Sequence, residues 1–115
     1  MLERKWRNLI VSIKAIHETW GTEPSFRVQI IASIAICIAA ALIGVTPTEW
    51  AVLILALFAA AAIELINTGI ERIGDAFGRY DHHIGLIKDL GSAAAGTFGV
   101  GTIIVCSIIF IRHLL

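Results

Sequence analysis

Three long apolar runs restrict the solvent in which this chain can fold. VQIIASIAICIAAALIGV occupies residues 28–45, WAVLILALFAAAAI occupies 50–63 and continues into ELINTGI, and GSAAAGTFGVGTIIVCSIIFI occupies 91–111. Each approaches the roughly 20 residues that carry a helix across about 30 Å of hydrocarbon. With 57% hydrophobic residues in 115, the chain is too apolar for a soluble domain of its size. The expected fold is all-α: one membrane domain over 1–115, with a surface helix at 1–20 and transmembrane helices at 27–45, 50–71 and 90–112.

The formal net charge is zero, yet the basic residues are unevenly placed. Arg4, Lys5, Arg7, Lys14 and Arg27 precede the first span, and Arg72, Arg79 and Lys88 lie between the second and third. The GVTPTEW hairpin carries none, and the C-terminal tail has only Arg112. Because cytoplasmic loops hold the Lys and Arg excess, both basic segments are expected to face the cytoplasm. The TPTE hairpin and the C-terminus then lie outside. No apolar core followed by a small-residue cleavage site opens the chain, so a removable leader is not expected.

MLERKWRNLIVSIKAIHETW sets Leu2, Trp6, Leu9, Ile10, Ile13 and Ile16 near one helical face, with Arg4, Arg7, Lys14 and Glu18 largely away from it. This predicts an amphipathic helix at the membrane surface. Thr22, Glu23 and Pro24 read as the start of the next helix, with a capping hydroxyl. Thr46 to Thr48 around Pro47 predict a tight reversal, Glu49 and Trp50 mark the far interface, and Tyr80 to Gly85 form the other break. Cys37 and Cys106 read as packing residues. The adjacent His82 and His83 read as exposed loop residues rather than metal ligands.

Glu64, Asn67, Glu71 and Asp75 fall within about an 80° arc of the second span and its extension, forming one stripe over three turns. Ionisable groups at membrane depth usually face a protein interior or a wet cavity, which makes a functional site the default reading. Alternatively, these groups bond neighbouring helices, or Glu71 and Asp75 belong to a solvated extension. Glu23 and Arg27 open the first span at the same level, and Lys88 and Asp89 open the third. Carboxylates from separate helices suit Mg²⁺, which leaves coordination positions for phosphate oxygens, while Lys88, Arg4 and Arg7 can neutralise phosphate charge. No GxxxxGK[ST] loop exists, so any nucleotide chemistry uses another architecture.

Glu23 with FR three residues on, then ELINTGIE, an Asp four residues later, and a short loop into KDLGSAA together resemble the prokaryotic diacylglycerol kinase family, which includes the undecaprenol kinases. The resemblance covers almost the whole chain. It implies that Glu64 is the base accepting the lipid hydroxyl proton and that Glu23 and Glu71 hold the metal of Mg-ATP. It also implies that Asn67 supports the metal and phosphate region, that Lys88 contacts the transferred phosphate, and that Asp89 is the motif's acidic partner. Arg4, Arg7, Lys14, Asp75 and Tyr80 fall where the family surrounds the nucleotide. Pro24, Gln29, Arg72 and the run Asp81, His82, His83 depart from the family pattern.

The expected reaction is phosphoryl transfer from ATP to a lipid hydroxyl at the cytoplasmic interface, which depends chiefly on positioning and charge stabilisation. Diacylglycerol is the leading acceptor because the GSAA ending and layout look closer to that branch, with undecaprenol the alternative. An ion-translocating subunit would carry its carboxylate between apolar flanks, whereas Glu64 leads directly into a charged end. No nucleic-acid partner is expected. The resemblance also implies a helical-bundle homotrimer with active sites between subunits, which would allow Glu23 to come from a different chain than Glu64 and Glu71.

Overall fold

The computed structural model describes residues 1–78 and 81–115 and contains four α-helices in that range. They are α1 (Leu2–Thr22), α2 (Pro24–Ile43), α3 (Pro47–Ala76) and α4 (His82–Leu114). The last three are long and apolar enough to cross a membrane. Membrane-crossing chains favour helices because a helix satisfies its backbone polar groups internally, which lipid cannot do. At 1.5 Å per residue, the 30 residues of α3 and 33 of α4 extend about 45 and 50 Å. Both exceed the hydrocarbon thickness, so each has a length of helix left to carry polar groups beyond the span. Correspondingly, α4 begins at His82, upstream of position 90, where the third span was expected to open.

Punctuation residues set the helix ends. Gly44 ends α2 in the left-handed region at φ 82°, where a β-carbon would be strained, and its N–H donates to Ala40 O at 3.0 Å. Pro47 occupies the first turn of α3, where its missing N–H costs no helix bond. Thr46 and Glu49 form a reciprocal capping box: Glu49 N donates to Thr46 Oγ1 at 3.2 Å, and Thr46 N donates to Glu49 Oε1 at 2.9 Å. At the opposite end, Asp81 caps α4 by accepting from Ile84 N at 2.9 Å.

The principal pairing is α3 against α4, with α2 packed on α3. Residues near the start of α3 meet the end of α4, and the end of α3 meets the start of α4, so these two helices are antiparallel. A small apolar core of Ala40, Val45, Leu53, Leu57 and Ile109 gathers toward the hairpin end of the bundle, with Cys37 and Cys106 packed against it as free thiols. Glu49 is buried there and is tied to α4 by Arg112 Nη1 at 3.2 Å and His113 Nε2 at 2.7 Å. Only 6–22% of each spanning window is buried within the chain, so most of the apolar surface must face lipid or another copy.

Three local expectations change. Thr22 closes α1 instead of capping α2; its hydroxyl donates back to Glu18 O at 2.9 Å, and the N-cap of α2 is Glu23, with no side-chain cap bond. Gly85 lies buried inside α4, not at the boundary of a break. His82 and His83 occupy the exposed first turn of α4 because the Asp81 cap starts the helix before them.

Candidate active site at the charged ends of the spans

Each group of the polar stripe meets a different neighbour. Glu64, half-buried on α3, accepts a hydrogen bond on Oε1 from Ser25 Oγ in the first turn of α2, at 3.1 Å. One turn on, Asn67 turns toward α4. Its Oδ1 is buried without a hydrogen-bond partner among the described residues, and a β-carbon at Gly91 would stand 2.6 Å from it. Glycine thus lets the α4 backbone come close to Asn67.

Further toward the helix end, Lys88 of α4 lies between Asp75 at 2.8 Å and Glu71 at 3.4 Å. Its stem runs over Gly74, where a β-carbon would come within 2.9 Å of Lys88 Cδ. Two glycines therefore set the α3–α4 approach: Gly74 receives the lysine stem and Gly91 receives the asparagine. The Lys88 side chain is only 26% exposed, which limits the directions its ammonium can take.

Glu23 is held differently. Arg72, the residue after Glu71, lies 3.6 Å from Glu23 and 3.6 Å from Glu18, and donates to Thr22 Oγ1 at 2.9 Å. Arg27 Nη1 donates to the terminal α1 carbonyls of Trp20 and Gly21 at 2.8 and 3.3 Å. Together these bonds tie the α1–α2 junction to α3, with Glu23 meeting Arg72 and Ser25 meeting Glu64 of the same chain.

The remaining residues stand apart. Asp89 is exposed on α4; Arg4, Arg7 and Lys14 are exposed on α1 and form no ion pair among the described residues. Tyr80 lies outside the described residues. Among the described residues, no three His, Cys, Asp or Glu side chains converge as a ready-made metal cage. The donor set still fits Mg²⁺ chemically, because that ion is commonly held by one or two carboxylates, with phosphate and water completing its shell. Glu23, the N-cap of α2, pairs with Arg72, while Glu71 lies on α3 and pairs with Lys88, so the two carboxylates belong to separate elements packed on each other.

An apolar groove of about 420 Å³ between α2 and α3 approaches this region from the membrane side. Ile30, Ile34 and Cys37 line one wall, and Ile54, Phe58 and Ala61 line the other. Ala61 is three residues before Glu64, so the groove ends about one turn from the Ser25–Glu64 hydrogen bond. Ser25 and Gly74 carry no role in the motifs, and Gly91 enters them only as part of KDLGSAA. Their importance comes from the residues they face across helices.

The fold and this charged shelf define a small multi-pass membrane protein with a cluster of carboxylates and cations at one end of its spans. The family profile described as prokaryotic diacylglycerol kinase matches residues 10–110. The chain is 32% identical over 107 residues to the undecaprenol kinase of Bacillus subtilis strain 168, covering 93% of this chain and 85% of that protein. It is 31% identical over 93 residues to the diacylglycerol kinase of Helicobacter pylori strain ATCC 700392 / 26695, covering 80% of this chain and 73% of that protein. The chain belongs to the prokaryotic diacylglycerol kinase family, whose members are membrane lipid kinases.

Proposed function

We propose that this protein transfers the γ-phosphoryl group of ATP to the hydroxyl of diacylglycerol, giving phosphatidic acid at the cytoplasmic face of a bacterial inner membrane. The observation that carries this reading is the location of Glu64, between the apolar α2–α3 groove and the charged end holding Lys88. A lipid hydroxyl can reach Glu64 from the groove while phosphate approaches Lys88 from water. The lipid oxygen bonds to the γ-phosphorus, its proton passes to the Glu64 carboxylate, and the bond between phosphorus and the ADP oxygen breaks.

Lys88 neutralises charge on the transferred phosphoryl group, and Asn67 supports the same region from α3. Binding the phosphate requires Lys88 to exchange its contacts with Asp75 and Glu71 for phosphate oxygens. Glu23 and Glu71 would hold Mg²⁺, which when bound screens the charge of the nucleotide phosphates. Asp75 and Asp89 border the nucleotide, and Arg4, Arg7, Lys14 and Tyr80 belong to its outer surroundings. The N-terminus is cytoplasmic and α1 lies on the membrane surface with its apolar side toward lipid. The protein assembles as a homotrimer, supported by the large apolar area that one chain leaves uncovered.

The match to the Bacillus undecaprenol kinase over 93% of the chain favours undecaprenol as a second reading. Purified protein in mixed micelles, given labelled ATP with diacylglycerol and undecaprenol side by side, tests the choice. Preferential labelling of diacylglycerol is expected. Preferential labelling of undecaprenol transfers the assignment to the second reading, and labelling of neither lipid overturns both.

A further inference from the structure

We infer that Ser25 is a positioning residue for Glu64, an inference that rests on the reading of Glu64 as the general base. Ser25 Oγ is 3.1 Å from Glu64 Oε1, and the two residues belong to different helices. The Ser25 hydroxyl supplies one donor, and an ionised carboxylate offers two acceptor oxygens. A donor fixed on Oε1 restricts carboxylate rotation and leaves Oε2 to accept the lipid hydroxyl proton. The balance of the reaction is unchanged: the proton goes to Glu64, the lipid oxygen to phosphorus, and Ser25 keeps its own proton.

The local backbone makes Ser25 a well-supported donor. Pro24 precedes it at the first position of α2, with a ring that fixes φ near the helical value before any ligand arrives. Phe26 follows it and is buried at 3% exposure, anchoring the same turn. Arg27, one residue further, bonds the terminal carbonyls of α1. Ser25 is itself exposed, so its polar group has no packing role that would account for the contact.

This turn also begins with Glu23, the proposed metal carboxylate. Glu23, Pro24 and Ser25 therefore present a metal-binding group and the donor for the base from one constrained segment. The distance between the two halves of the reaction is then set by a short piece of backbone, not by two independent loops. Positioning of this kind acts on turnover because the carboxylate must be aligned in the transition state, whereas Mg-ATP binding does not use the Ser25–Glu64 bond.

The test uses the full chain in mixed micelles with diacylglycerol and saturating Mg-ATP, comparing Ser25→Ala, Ser25→Thr and Glu64→Gln with the unaltered protein. Ser25→Ala should lower kcat about tenfold, the scale of one hydrogen bond to a charged group. KM for Mg-ATP should stay unchanged, and Ser25→Thr, which keeps the hydroxyl, should recover most of the lost turnover. An unaltered kcat in Ser25→Ala, with Glu64→Gln inactive, overturns the positioning role and leaves the base assignment standing. A loss confined to KM, or one that Ser25→Thr does not relieve, also overturns it. Substantial activity in folded Glu64→Gln removes the base assignment itself, and the positioning role with it.

Discussion

Asn67 on α3 points its buried side-chain oxygen at Gly91 on α4, 2.6 Å from where a β-carbon at position 91 would stand. This contact physically joins the ELINTGIE and KDLGSAA segments. Gly91→Ala would have two opposing effects. Helix propensity gains about 1 kcal/mol over glycine, while overpacking costs about 1–3 kcal/mol. The expected net loss of stability is at most about 2 kcal/mol, with activity falling further than the folded fraction explains, because Asn67 is displaced. Thermal unfolding and kcat measured on the same preparation separate the two effects.

Glu64→Gln keeps shape and hydrogen-bonding capacity but removes the base. Turnover should fall by roughly 100-fold or more, with the oligomer intact by size-exclusion chromatography. A folded variant with most of its activity would exclude Glu64 from proton transfer.

Glu23→Gln and Glu71→Gln should each raise the Mg²⁺ concentration needed for half-maximal activity, with partial recovery at high metal. Titrating Mg²⁺ at fixed ATP measures this. Unchanged titration curves for both variants would place the metal elsewhere.

At the hairpin end, Glu49 joins the start of α3 to the end of α4 through Thr46, Arg112 and His113. Glu49→Ala removes all of these contacts and should lower the unfolding temperature. Well below that temperature kcat should hold steady, since the contacts lie far along the bundle from Glu64. Glu49→Gln retains an acceptor for the cap but loses the charge, so it should fall between the two. Equal loss of kcat and stability in Glu49→Ala would show that the far end is coupled to the reaction.

Subunit mixing tests how the site is divided between chains. Arg72 holds Glu23, and Ser25 bonds Glu64, within a single chain. If each site is built by one chain, as these contacts allow, Glu23→Gln subunits mixed with Glu64→Gln subunits at low Mg²⁺ recover no activity after verified exchange, because every site still carries one defect. Recovered activity would mean that neighbouring chains contribute these groups to a shared site.

The sequence by itself determined the helical class, the three long apolar segments and the polar stripe running from Glu64 to Asp75. Hydropathy and helical spacing act over one or a few turns, so contiguous residues carry that information. It also displayed the paired motifs that mark the family. The tertiary structure decided which neighbours those groups meet. Ser25 and Glu64 are separated by 39 positions, Thr22 and Arg72 by 50, and Glu49 and Arg112 by 63. Such meetings depend on the axial register and rotation of antiparallel helices. Those are set by where small residues such as Gly74 and Gly91 let the backbones and long side chains approach, and composition within any one segment does not specify them.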